Sequence, residues 1–425
     1  MMTYRLITVR AAMACLAAAA VAATAWPCIA AETGTRAGPA LRLTAMASDP
    51  TSSQSAIRNP QSAMSSWGDR PPVADASFFP LAVWLQDPRN AERYKAAGIN
   101  IYVGLWQGPT EAQLAALKAA GMRVVCEQNA VAVRHLDDRD IIAWMHGDEP
   151  DNAQSLPGGK GYGPPITPER IVAGYEKMHQ ADPSRPVMLN LGQGVAWDGW
   201  IGRGVRTNHP EDYPEYIKGG DIISFDIYPA AHDNKAVQGN LWYVAQGVER
   251  LAKWAAGHKQ IWNCIECTKI SSDRKATPAQ VKAEVWMSFI HGSQGLIYFV
   301  HEFKPKFIEA GLLADPEMTK AVTAINREIH ALAPVLNSPT VADAATVESS
   351  SPNAPIDLMA KKHGGAIYVF AVGMRNAETT GKFRVKGALS GAKVEVLGES
   401  RTLPLKSGIF EDAFAPYAVH LYRLK

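Results

Sequence analysis

The chain is short of the residues and runs that mark metal, membrane and nucleic-acid proteins. It has five cysteines in 425 residues, and its eleven histidines are scattered, with none in the first strand pattern, where a metal-dependent barrel hydrolase carries His-x-His. The formal net charge is only +2, too small for a global field that would favour nucleic acid or an anionic membrane. Beyond the N-terminal segment, no stretch holds 18 consecutive apolar residues, so no membrane span is expected. The 34 glycines follow no triplet period, which excludes collagen, and a hydrophobic fraction of 47% excludes a disordered chain. No cofactor and no metal is expected.

The apolar residues fall first in a leader. Arg5 and Arg10 precede an uncharged Ala-, Val- and Leu-rich run from Ala11 to Trp26, and small residues follow at Ala30 and Ala31. This is the pattern of a secretory signal peptide over 1–31, and it predicts a soluble periplasmic or secreted product. Cleavage would remove Cys15 and Cys28 and leave Cys126, Cys264 and Cys267. Cys264 and Cys267 form a C-x-x-C pair inside the strand pattern IWNCIECTK, where residues three apart point to opposite faces. Buried free thiols are therefore expected rather than zinc or a redox pair. Residues 32–77, rich in Ser, Ala, Thr and Pro, read as a flexible leader.

From Phe78 the chain alternates strand and helix patterns. The strand patterns are 78–86, 99–106, 122–129, 141–151, 186–194, 221–229, 259–269 and 293–303, each followed by a helix or helical link, the last helix running from Asp315 to Asn337. Continuous apolar strands covered by helices predict a parallel sheet. Eight such units in about 260 residues predict a (β/α)8 TIM barrel over 78–337. A doubly wound open sheet would place a Gly-rich turn after its first strand, and WLQDPRN has none. After Asn337, short runs such as AIYVFAVGM and YAVHLYRL, separated by Gly, Asn and Ser, predict a small antiparallel β-sandwich over 338–425, with barrel support as its default role.

Barrel enzymes work at the C-terminal ends of their strands. The polar residues there include Glu127 (strand three), Asp148 and Glu149 (four), Asn190 (five), Asp226 and Tyr228 (six), Glu266 (seven), and His301 and Glu302 (eight). Trp84, Trp106 and Trp262 lie in or near the same strands and could stack on pyranose faces. The loops 152–166 and 194–210, the second carrying Trp197, Trp200, Arg203 and Arg206, are candidate subsite walls. Two carboxylates facing each other across a pocket are what glycoside cleavage needs, one as acid and one as nucleophile or base.

This layout resembles the clan A glycoside hydrolases, the 4/7 superfamily of retaining barrels. The segment IIAWMHGDEPDN resembles the strand-four end of many bacterial barrel hydrolases with a D-E-P signature, and DIISFDIYP resembles their strand six. The resemblance implies Glu149 as acid/base, Glu266 as nucleophile and Tyr228 as the hydroxyl that bonds the nucleophile, with a retaining mechanism and carboxyl groups roughly 5–5.5 Å apart. This sequence has Asp148 where the clan usually has Asn, and its strand eight reads YFVHEF where a Trp is common. The expected partner is a carbohydrate substrate, without nucleic acid. The alternatives are a non-catalytic polysaccharide-binding barrel, which would be expected to lose one of the two Glu, and a barrel hydrolase of other chemistry. A Schiff-base aldolase would want a Lys directed into the barrel, and strand six has none.

Overall fold

The computed structural model describes residues 75–387 and 393–425. The expectations placed on 1–74, the signal peptide and most of the leader, lie outside the described residues. Among those described, eight parallel strands close into a barrel in sequence order. They are β1 (Leu81–Trp84), β2 (Ile101–Val103), β3 (Arg123–Cys126), β4 (Ile141–Asp148), β5 (Val187–Leu191), β6 (Ile222–Phe225), β7 (Gln260–Glu266) and β8 (Gly295–Phe299). Each lies inside its expected window.

The helices are α1 (Ala91–Ala96), α2 (Glu111–Ala120), α3 (Pro168–Ala181), the single turn α4 (Tyr213–Tyr216), α5 (Trp242–Ala255), α6 (Pro278–His291), the single turn α7 (Gly311–Ala314) and α8 (Pro316–Leu336). Their boundaries follow local chemistry. Thr110 and Gln113 form a capping box on α2, and Gly121 ends it at φ 62°, in the left-handed region. Thr277 and Gln280 cap α6 in the same way, with Pro278 in its first turn. No α-helix follows β3. The chain there makes one short 3-10 turn, Ala132–Arg134, before β4.

Side chains alternate between two cores, as the period of two requires. Ala82, Val103, Val125, Met188, Ile222, Trp262, Cys264 and Ile297 fill the barrel lumen. Val83, Trp144, Leu189, Ile265 and Cys267 face the helices. Gly295, opposite Trp262 in register, gives the indole its room, since a Cβ there would lie 2.6 Å from the ring. Cys264 and Cys267 thus belong to opposite cores, and all three described cysteines are free and buried.

The C-terminal region forms two antiparallel sheets. Strands β10 (Ile356–His363), β11 (Ala366–Gly373), β16 (Val419–Leu424), β13 (Lys393–Val396) and β14 (Arg401–Pro404) make one. Strands β15 (Ile409–Phe414), β12 (Thr379–Val385) and β9 (Ala345–Ser349) make the other. Phe383, Phe410, Phe414 and Tyr422 pack between them. The sandwich also shares a core with the barrel: Trp286 of α6 meets Phe370 of β11 at 5.0 Å between ring centroids. Lys361 Nζ donates to the carbonyls of Leu336 (2.9 Å) and Ser338 (2.6 Å), where α8 ends.

Candidate active site

The C-terminal ends of β4, β5 and β6 place a row of polar groups at the mouth of the lumen. Asp148 and Asn190 are register partners, as are Asn190 and Ser224. Asn190 Nδ2 donates to Asp148 Oδ1 at 2.9 Å, and the Ser224 hydroxyl donates to Asn190 Oδ1 at 2.7 Å. After Asp148 the chain turns sharply, with Glu149 at φ 41°. A left-handed non-glycine backbone is uncommon, and such strain gathers at functional sites. The turn is held from both sides: Glu149 N–H donates to the Asn190 carbonyl at 3.0 Å, and the Glu149 carbonyl accepts from Asn152 N–H at 3.1 Å.

Asp151 acts as the floor of this turn. It has no accessible surface, and its two carboxylate oxygens accept from Gly192 N–H (2.9 Å) and the Tyr213 hydroxyl (2.9 Å). Arg203, 1% exposed, supports it from behind, donating to the Asp151 carbonyl at 3.3 Å and to Asp212 at 2.7 Å. Arg206 also binds Asp212, at 2.5 Å. Both arginines are therefore committed within the protein.

Alternation along β6 and its extension sends Ile222, Ser224, Asp226 and Tyr228 inward. Asp226 faces Glu149, and the two carboxyl groups share a hydrogen bond. Asp148 is exposed, while Glu149 and Asp226 are half-buried, so water reaches all three although protein surrounds them. Burial pushes the Glu149 carboxyl well above the ordinary range; the charges of Asp226 and Asp148 add to this, and so does its bond to Asp226. Asp226 is also raised, mainly by burial, but the Glu149 contact and the Tyr228 hydroxyl favour its ionised form. Of the two, the Glu149 carboxyl is pushed further toward its protonated form, which makes it the acid of the pair. The Tyr228 hydroxyl and Asp226 Oδ1 are both sealed and lack a well-formed hydrogen bond, so this support is electrostatic.

The other expected site residues divide. Glu127 is exposed and lines a cavity of about 290 Å3 with Met145, His146 and Gly147, between the ends of β3 and β4. Trp106 is 43% exposed on the β2 loop and free to stack on a ligand. His301, 4% exposed, stacks on Phe303 and Phe307, and its Nε2 meets Gln86 Nε2 at 3.1 Å. Burial lowers its pKa to about 4, so the ring is neutral. Glu302 sits half-buried beside Gly311 in the β8 loop and is not among the charges that dominate Glu149 or Asp226. Trp84 and Trp262, 4% and 0% exposed, are packed in the lumen and cannot stack on a sugar, which corrects their expected role.

The largest correction concerns Glu266. It has no accessible surface, and its Oε1 and Oε2 accept from the backbone N–H groups of Ala230 (2.6 Å) and Ala231 (2.7 Å). A nucleophilic oxygen must touch the anomeric carbon, and this carboxylate is closed off. The acid that faces Glu149 is Asp226, expected only as a substrate contact. Sequence reading also passed over Gly192, whose hydrogen points at the site: a Cβ there would lie 3.0 Å from Glu149 Oε1. It missed Asp151 too, although that acid stands two residues after Glu149 in the same D-E-P-D run. Among the described residues, no group of three or more His, Cys, Asp or Glu is arranged to hold a metal ion.

No protein-family model matches the chain, and no curated protein does. Solved structures do. A candidate alpha-galactosidase/melibiase of Bacteroides fragilis aligns over 82% of this chain and 80% of its own, at TM-score 0.52 and 10% identity. An alpha-amylase of Geobacillus thermoleovorans aligns over 82% and 98% at TM-score 0.48 and 9% identity, and a GH30 endoxylanase of Clostridium papyrosolvens over 82% and 96% at 0.45 and 12%. At these identities the first match establishes likeness of fold, a barrel followed by a β domain, and the other two carry no argument.

Proposed function

We propose that the protein is an exported glycoside hydrolase that cleaves O-glycosidic bonds of a poly- or oligosaccharide with retention of anomeric configuration. The observation that carries this reading is the pairing of two half-buried carboxyl groups, Glu149 and Asp226, at the mouth of the lumen, with burial and the neighbouring acid charges pushing Glu149 toward the role of proton donor. That is the division of labour glycoside cleavage requires. Carboxyl groups close enough to shift each other's ionisation suit the narrower separation of the covalent route better than the wider one that admits a water. The N-terminal segment, with its two arginines, apolar run and small residues, supports export to the periplasm or beyond.

In this reading the Asp226 carboxylate attacks the anomeric carbon while Glu149 gives its proton to the glycosidic oxygen. The leaving group departs and a glycosyl ester remains on Asp226. Glu149, now a carboxylate, takes a proton from water, which attacks the same carbon and frees Asp226. Asp148, held by Asn190, binds sugar hydroxyls beside the pair, Tyr228 supports the charge on Asp226, and the exposed face of Trp106 offers a stacking platform.

A panel of aryl-glycosides and polysaccharides, followed by NMR of the first-formed product anomer, tests the proposal. Asp226→Ala abolishes turnover. Glu149→Ala slows substrates with poor leaving groups far more than activated aryl-glycosides, and azide restores part of its activity. An inverted product, or equal losses on both substrate kinds with no azide effect, overturns the assignment.

A further inference from the structure

Outside the mouth, the molecule buries a second acid pair. Glu266 ends β7 and Glu284 lies on α6, and neither has accessible surface. Both Glu266 oxygens are taken by the consecutive amides of Ala230 and Ala231, at 2.6 and 2.7 Å. Neither Glu284 oxygen has a well-formed partner, and the group that acts on its carboxyl is Glu266. Two adjacent carboxylates cannot both stay ionised in a dry site. The two amides hold the charge on Glu266, and Glu284 keeps the proton.

The amides belong to the segment that leaves β6. Ala230 is two residues beyond Tyr228 and four beyond Asp226. The same segment is tied at the Ala231 carbonyl, which accepts from the hydroxyls of Ser271 (3.0 Å) and Ser272 (2.7 Å). It then carries His232 to Gln193, with 2.9 Å between Nε2 and Oε1, and against the Trp197 ring at 5.7 Å. All these anchors come from β7 and the residues after it, or from the β5 loop. The position of Asp226 in the mouth therefore depends on how firmly the segment behind it is docked on β7.

We propose that Glu266, with Glu284 behind it, is a positioning residue: it anchors Ala230 and Ala231 and so sets Asp226 and Tyr228 in the mouth without touching substrate. This rests on the reading of Asp226 as nucleophile, but the anchor itself is a structural claim that can be read without substrate.

The experiment compares wild type with Glu266→Gln, Glu266→Ala and Glu284→Gln. Glu266→Gln keeps the shape but turns an amide N–H2 toward one of the two N–H donors. Hydrogen exchange at Ala230 and Ala231, measured with no ligand, is expected to speed up at least about tenfold in Glu266→Gln, while strands β1 to β3 exchange as before. Exchange unchanged at both alanines overturns the anchor, whether or not a glycoside is ever turned over. On the aryl-glycoside that the wild type cleaves, kcat of Glu266→Gln falls on the order of 10- to 100-fold with KM little moved, as expected for a displaced reacting group. Glu284→Gln, neutral and of the same shape as the protonated acid, leaves exchange and kcat within about twofold of wild type. Azide separates positioning from attack: it leaves Glu266→Ala, or Glu266→Gln should the alanine variant not fold, as slow as before. A glycosyl azide formed by either variant, or a 2-deoxy-2-fluoroglycosyl label on Glu266 in the wild type, makes Glu266 the nucleophile and overturns the proposal.

Discussion

Asn190 holds Asp148 at 2.9 Å through its amide N–H while its amide oxygen takes the Ser224 hydroxyl at 2.7 Å. One side chain thereby ties three neighbouring strands at the level where the chemistry is proposed. Asn190→Leu keeps the volume and removes both bonds, leaving Asp148 and Ser224 without their partner. A buried group left unpaired costs about 1–3 kcal/mol, so the unfolding free energy from denaturant titration should fall by that amount. The kcat/KM should drop together with it, because Asp148 stands beside the acid pair. Equilibrium unfolding and steady-state kinetics on the same preparation check both.

Gly192 tests the site with little expected effect on the fold. Its backbone is extended, with φ −84° and ψ −174°, a conformation any residue adopts. Only the space is missing, since an added Cβ would meet the Asn152 amide at 2.9 Å and Glu149 Oε1 at 3.0 Å. Gly192→Ala should push the Glu149 carboxyl aside by a fraction of an ångström. A misplaced catalytic group can cost on the order of 10²-fold, so activity should fall steeply while the melting temperature moves little. A variant with full activity would place the acid elsewhere.

The barrel was legible because its strands announce themselves by two independent signals, apolar runs and the caps and stops of the helices between them. Thr110 with Gly121, and Thr277 with Gln280, delimit their helices in the sequence as clearly as in the structure. The rim acids were legible as a set, because alternation and strand ends locate them. Their roles were not. Cys264 lies in the lumen and Glu266 follows it at the period of two, yet the Glu266 carboxyl is captured by two amides of a segment 35 residues earlier. That capture is a tertiary event with no local trace. Trp262 stands four residues before the end of β7, a depth that places its ring in the lumen rather than at the rim.

Arg203 offers a stability measurement independent of activity. Its guanidinium is buried against Asp212, the carbonyls of His209 and Asp151, and the Tyr213 ring at 4.8 Å. Arg203→Met removes the cation that compensates both Asp212 and Asp151. Breaking a buried pair from one side costs about 3–5 kcal/mol, and this should appear in the denaturant midpoint. Arg206→Met, on an exposed partner of the same Asp212, should cost well under half as much.

The pH dependence follows from the direction of the shifts at the mouth. Glu149 and Asp226 are both raised, first by burial, and the Asp148 charge raises each of them further. An acid with a raised folded-state pKa holds its proton longer folded than unfolded. Its contribution to stability is therefore complete below the unfolded value and is lost as pH rises through the folded one. For activity the pair must carry one proton: Asp226 must ionise and Glu149 must not. The acidic limb of kcat/KM should thus stand well above the ordinary Asp value of about 3.9, and the basic limb above that. Asp148→Asn removes a like charge facing both groups while keeping an acceptor for Asn190. Ionisation of each becomes easier, so both limbs should slide to lower pH together, and the pH optimum with them. Glu149→Gln should erase the basic limb and leave the acidic one. If Asp148→Asn shifts neither limb, or if the basic limb survives Glu149→Gln, the titrating pair is not Glu149 and Asp226.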